Sequence, residues 1–219
     1  LENLTFDILH GKTEQANDDL FVSPTGSDSN TGLTANDPLQ TIHVALIKML
    51  ADSLNPHVVH LAEGTYSAIT NEEFFPIPLP DYIQLAGNSA DSTILDAEQK
   101  SCVIWLQNNS ATELSNITMK GGKKWMTGGG VFIENSTVVI DSCIVSGNEV
   151  NGNNSGCQGG GIYCSGSELL IRNTEISDNN AIGNNAPIIS NEVLGGGIYS
   201  ISSDLVMNNS LVQNNQAAD

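Results

Sequence analysis

Three segments of this 219-residue chain superimpose without a gap, and no other feature limits the possible folds so sharply. They run from Gly128 to Val150, from Gly159 to Ala181 and from Gly195 to Ala217. Each opens with three glycines, and each sets an asparagine at the same point near its end: Asn148, Asn179 and Asn215. Apolar residues recur in step: Val131, Ile162 and Ile198; Val138, Leu169 and Leu205; Ile140, Ile171 and Met207; Val145, Ile176 and Val212. Self-similarity at a fixed unit of a little over twenty residues marks a solenoid.

The spacing inside the unit selects the kind of solenoid. Apolar residues pair two apart (Val138 with Ile140, Cys143 with Val145), which is the period of a strand. Too few residues separate the pairs to hold a helix. The unit therefore predicts three short strands joined by tight corners, stacked coil on coil about 4.8 Å apart into parallel sheets. The fold class is all-β, a right-handed parallel β-helix of three-strand coils. Asn148, Asn179 and Asn215 are expected to form an amide ladder at one corner, as stacked asparagines do in cross-β assemblies.

Charge restricts the partners. The formal net charge is −18, with seven Lys plus Arg, and Arg172 is the sole arginine. Nucleic acid and anionic membranes need basic stripes, which this composition excludes. An acidic surface suits a soluble extracellular protein and attracts divalent cations. No apolar run approaches the roughly 20 residues that span a bilayer. The chain starts at Leu1 without a signal-like stretch, so the expectation is a mature or excised segment of an exported protein. Cys102, Cys143, Cys157 and Cys164 show no CxxC pair, hence no zinc spacing. Cys143 and Cys164 fall on inward positions, so buried thiols are expected, with a Cys157–Cys164 disulfide as the alternative.

In chain order, residues 1–19 read as an arm or linker, 20–56 as an N-terminal cap and 57–219 as the β-helix. Leu20 to Val22 is a short strand, and Ser23 to Gly32 is turn-forming throughout. Asp28, Asn30 and Gly32 echo the opening of a calcium loop whose later ligands are missing, so a structural turn is preferred and no cofactor is expected beyond a weak calcium option. Asp37-Pro38 leads into one amphipathic helix carrying Ile42, Ala45, Leu46, Met49 and Leu50 on a stripe. Such a helix suits a lid over the open end of a β-helix. His43, His57 and His60 have no metal-site spacing. Val58 to Ala62, Ile83 to Leu85 and Thr93 to Leu95 are assigned to one coil, interrupted by an irregular proline-rich excursion from Asn71 to Pro80. Val103 to Leu106, Thr112 to Leu114 and Ile117 to Met119 form a second coil.

The run FVSPTGSDSNTG, then NDPLQTIHVAL, HLAEGTYS and YIQLAGNS with STILD, resembles the start of secreted right-handed β-helix proteins of the pectin-lyase-like superfamily. The GGG-aliphatic openings with later SGN, SDN and QNN are similar to the repeats of polymorphic outer-membrane proteins and related surface passengers. Where that pattern has Phe ahead of the Asn, this chain holds Val145, Ile176 and Val212. The resemblance implies the fold and an exported, extracellular location. Its members include lyases, hydrolases, epimerases and adhesins, so it leaves the activity open.

Catalysis would need acids and bases on one outer face. On the first strand the outward position after the aromatic reads Gln107, Glu134, Ser165 and Ile201, with no acid cluster. On the second, Ser115, Asp141, Arg172 and Asn208 align, and a salt bridge accounts for Asp141 and Arg172. Two features point instead to binding. Trp105, Phe132, Tyr163 and Tyr199 fall at one position of four successive coils and are expected outward, as a platform for sugar rings or a partner protein. Insertions of three, eight and thirteen residues (Trp125 to Thr127, Asn151 to Gln158, Ile182 to Leu194) emerge at one corner and line one edge. Beside the first, Trp125 with Lys120, Lys123 and Lys124 is a candidate grip for an acidic sugar or partner.

These readings converge on a non-catalytic adhesion or glycan-binding scaffold, its partners a polysaccharide or a surface protein of another cell. One alternative is a polysaccharide lyase or glycoside hydrolase. The other is a structural subunit stacking end to end through the last coil, which carries no polar cap after Asn215.

Overall fold

The computed structural model describes residues 15–152, 156–183 and 192–218. Through them the chain winds as a parallel β-helix, with the right hand that crossovers between parallel strands take. The first sheet stacks Ile77–Pro78, Ile104–Gln107, Val131–Glu134, Ile162–Ser165 and Ile198–Ile201. The second sheet has seven strands, running from Leu20–Val22 and His57–Leu61 through Thr137–Asp141 and Glu168–Arg172 to Asp204–Asn208. The third has six, from Gly64–Tyr66 to Leu211–Gln213. Coils pair without slippage: Val131 lies opposite Ile104 on one side and Ile162 on the other.

The three predicted strands of each repeat are present, and a fourth follows them. Lys123–Trp125, Glu149–Gly152, Asn180–Gly183 and Gln216–Ala218 form a fourth parallel sheet. The insertions return against it through the paired segments Cys157–Gln158 and Val193–Leu194. Between the two layers, Val150, Cys157, Ala181 and Val193 make a small core separate from the main one. This two-layer projection is termed the fin. The glycine runs then carry the chain back into the first sheet and stack through backbone bonds, Gly129 N–H to Gly159 O and Gly160 N–H to Gly195 O.

Alternation along each strand fills the barrel. Val131 and Ile133, Val138 and Ile140, and Val145 point inward and are fully or almost fully buried, as are their counterparts in the next coil. The corners are held by side-chain ladders. Asn148 Nδ2 donates to Asn179 Oδ1 at 2.9 Å, and Asn179 Nδ2 to Asn215 Oδ1 at 2.9 Å. A second ladder, of Ser136, Ser167 and Ser203 hydroxyls accepting backbone N–H groups from the coil before, was not anticipated.

The helix spans Ile42–Lys48, with Thr41 as N-cap, and buries Ile42, Ala45 and Leu46 against the first strands. It is shorter than the apolar stripe suggested: Met49 is its C-cap and Leu50 is exposed. Two carboxylates fasten this lid. Asp28 accepts from Gln40 N, Thr41 N and the Thr41 hydroxyl, so its oxygens hold the turn to the helix start. Fully buried Glu73, from the proline-rich excursion, accepts from Ile42 N at 2.6 Å and contacts His43 Nδ1 at 2.6 Å.

Other expectations are corrected. Val59 lies opposite Leu85, so the two strands assigned to one coil belong to successive coils. The excursion also adds a strand, Ile77–Pro78, at the edge of the first sheet, where a proline is tolerated. Residues 1–14 lie outside the described residues, but Ala16 bonds Lys48 O and Leu50 N, and Asp19 accepts from Val58 N. In the last described coil Val212, equivalent to buried Val145 and Ile176, is 47% exposed. The Cys157–Cys164 bridge is not formed, because the two buried thiols lie in different cores.

Candidate functional site

The in-register stacking of the first sheet brings Trp105, Phe132, Tyr163 and Tyr199 into one outward column. Ring centroids are 4.2, 5.3 and 5.7 Å apart, and interplanar angles are 19°, 8° and 19°. Strand spacing sets these distances, so each ring lies face to face with its neighbours. The expected parity holds, but the platform differs from the expected one. Interior ring faces are covered by other rings, and what the column presents sideways is ring edges and hydroxyls. Phe132 is buried, while Trp105, Tyr163 and Tyr199 are half-buried.

The basic cluster beside the column is divided by strand parity. Lys124 turns to the same side as Val150, toward the fin's core, and its ammonium rests 3.8 Å from the Trp105 ring centroid and 4.2 Å from that of Phe132. Burial lowers the pKa of this amine, against the raising influence of Cys102 and Glu134, and the rings supply cation–π stabilisation. Lys123 points the other way and pairs with Glu149 at 2.7 Å; Lys120 pairs with Asp96 at 3.4 Å. Trp125 shares the Lys123 side of the strand by alternation and is 64% exposed. The joint grip on an acidic ligand is therefore not assembled. The remaining described cations are also engaged: Lys48 with Asn30 O, Lys100 with Glu98, and Arg172 with Asp141 and Glu113.

Arg172 Nε lies 2.8 Å from Asp141 Oδ2, as the aligned repeats imply, and its Nη2 reaches Glu113 two coils away at 3.4 Å. Burial pushes the Asp141 carboxyl up, but hydrogen bonds from Asn173, Arg172 and Ser142 outweigh it and hold the group below its usual range. A depressed folded pKa contributes stability that is present above the unfolded value of about 3.9 and is lost as pH falls through the folded value. Replacing Arg172 with methionine is expected to move the Asp141 titration upward, so that acid unfolding begins at higher pH. Carboxyl-carbon NMR titration checks this; an unmoved midpoint would assign the shift to Asn173 and Ser142 alone.

One stacked pair of carboxylates escaped the sequence reading. Thr137, Glu168 and Asp204 occupy the outward position at the start of the second strand in three successive coils. Glu168 and Asp204 face a polar hollow of about 380 Å³ with Asn135 and Ser202 on its rim. The register rows contained this signal, four residues ahead of the Asp141–Arg172 row. The histidines serve the cap: His43 contacts Glu73, and His57 and His60 flank Asp19 at 3.8 and 3.2 Å.

A family model described as "Protein of unknown function (DUF1565)" matches residues 24–98, about a third of the chain, covering the cap and the first coils. No curated protein matches the sequence. Among solved structures, a rhamnogalacturonan lyase is similar at 14% identity and a TM-score of 0.42, over 93% of this chain and 60% of that one. The chain thus spans less than two thirds of that lyase's length. A pectin methylesterase from Erwinia chrysanthemi is similar at 11% identity and a TM-score of 0.39, over 93% of both chains.

Proposed function

We propose that the chain is an exported, cell-surface β-helix that binds uncharged glycans and does not cleave them. The ring column carries this reading. Tyr163 and Tyr199 are half-buried, and neither hydroxyl has a hydrogen-bond partner among the described residues. The two adjacent coils of Tyr163 and Tyr199 offer a tyrosine edge and hydroxyl at a spacing close to the length of one pyranose residue, so two successive units of a sugar chain lying along the axis each meet one hydroxyl. Contact along the column is edgewise, because the faces between neighbouring rings are covered. Charge selects the glycan: with a net charge of −18 and the described cations all engaged, an anionic polymer is repelled. The resemblance of the repeats to surface passengers supports the location.

The test separates hydroxyls from rings. A glycan array is probed, with calcium and with chelator, using wild type, Tyr163→Phe/Tyr199→Phe and Tyr163→Ala/Tyr199→Ala. Loss of two hydroxyl hydrogen bonds is expected to weaken binding roughly 10- to 100-fold in the Phe pair with melting unchanged. The Ala pair is expected to lose both binding and stability. Retention of no glycan by the wild type would sink the reading.

Glycoside hydrolysis is kept as a second reading because of Glu168 and Asp204, stacked at the polar hollow. Adjacent coils place two carboxyl groups at about the separation that retaining hydrolysis uses. New reducing ends released from a neutral polysaccharide, and lost in Glu168→Gln/Asp204→Asn, would establish it.

A further inference from the structure

A second depression lies at the other end of the molecule, where the capping loop overhangs the ends of the first strands. It has a volume of about 540 Å³ and is lined by Phe21, His60, Glu63, Ala86 and Asn88, with Thr25 from the loop. That volume lies within the usual range of small-molecule sites.

His60 is the centre of it. Phe21 stacks on one face of its imidazole, centroids 4.9 Å apart and 22° from parallel. The in-register neighbour on the opposite side is Ala86, whose methyl group cannot cover a ring, so the second imidazole face looks into the cleft. Asp19 accepts or shares a proton with Nε2 at 3.2 Å and fixes the ring, while Nδ1 has no partner among the described residues. The cleft thus combines an open ring face, an unpartnered ring nitrogen and a rim of hydroxyl, amide and carboxylate groups. It contains no basic side chain other than the imidazole itself.

We infer that this cleft is a second ligand site that takes a single uncharged sugar ring, held against the open face of His60 with one hydroxyl on Nδ1. A flat apolar wall matches the C–H face of a pyranose, and the polar rim matches its hydroxyls. Glu63 and the absence of lysine or arginine disfavour an anionic ligand. The inference rests on the reading that the chain binds neutral glycans, but it uses none of the ring column's residues. The site takes a single residue or a chain end, whereas the column takes a chain along its length.

The experiment follows the His60 imidazole resonances by NMR as methyl hexosides and pentosides are added singly at about 10 mM, a concentration suited to a millimolar site. Saturable shifts with at least one sugar are expected in wild type and equally in Tyr163→Phe/Tyr199→Phe. Ala86→Trp, at a partly exposed position, fills the cleft and is expected to abolish them with its melting unchanged. His60→Phe keeps the stack but lacks the nitrogen, and is expected to weaken binding at least tenfold by calorimetry. No shift with any sugar, or undiminished shifts in folded Ala86→Trp, would overturn the site. A silent His60 beside retained array binding removes this cleft alone; silence in both removes the glycan reading with it.

Discussion

Leucine in place of Asn179 is expected to lower the melting temperature by about 10 °C. The side chain is fully buried and makes four hydrogen bonds. Its Nδ2 donates to Val145 O and Asn215 Oδ1, both at 2.9 Å, and its Oδ1 accepts from Asn148 N at 3.0 Å and Asn148 Nδ2 at 2.9 Å. Leucine fills a similar volume but leaves those partners unsatisfied, at about 1–3 kcal/mol for each group that finds no substitute. Relaxation recovers part of this, so a net loss of about 3–4 kcal/mol is expected, and a chain of this size loses roughly 2–4 °C per kcal/mol. Asn215→Leu is the internal control. Asn215 lies in the last described coil and also makes four hydrogen bonds, but it is only half-buried and its partner Gln213 is exposed, so water can replace part of what is lost and its replacement is expected to cost less. Equal melting shifts for the two variants would mean that the ladder does not act as a connected unit.

The second large effect belongs to Gly160. A Cβ there would sit 2.4 Å from Asn180 O in the fourth sheet and 2.5 Å from Gly196 O in the next glycine run, both backbone atoms of the packed corner. No flexible side chain can yield, so Gly160→Val forces the glycine run away from the fourth sheet. Overpacking of this kind is expected to cost about 3 kcal/mol. Gly147→Ala supplies the comparison, since Gly147 has open space around it and only a positive φ of 63° to lose. That change is expected to cost about 1 kcal/mol, the penalty for an L residue in the left-handed region. Denaturant unfolding measures both; a Gly160→Val midpoint no lower than that of Gly147→Ala would refute the close-packing account.

The sequence carried the barrel well because a stacked coil repeats its chemistry at each level. Val138, Leu169 and Leu205 needed no structure to be placed on one inward row, nor did Asp141 and Arg172 to be placed side by side. The fourth strand was hidden for a physical reason. Glu149–Gly152 and Asn180–Gly183 each offer two inward positions, and the larger residue there, Val150 or Ala181, packs on residues from the insertions instead of on the barrel. No local alternation announces such a strand. The ring column was located correctly, but a register row states only that rings are neighbours, not that their faces meet. The cleft at His60 was missed because Ala86, the residue that opens it, is informative only for being small beside a ring in the next coil.

The fin has a consequence for motion. Its core of Val150, Cys157, Ala181 and Val193 shares no residue with the core of the barrel, while the Asn148–Asn179–Asn215 ladder closes the barrel ahead of it in each coil. The fin is therefore expected to open and reclose as its own cooperative unit, at lower free energy than global unfolding, which hydrogen exchange measures. Its amides, beyond the ladder, would exchange with solvent on a faster clock than those of the three barrel sheets. An edge that breathes while its support stays shut would change its own outline without loosening the rod that carries it.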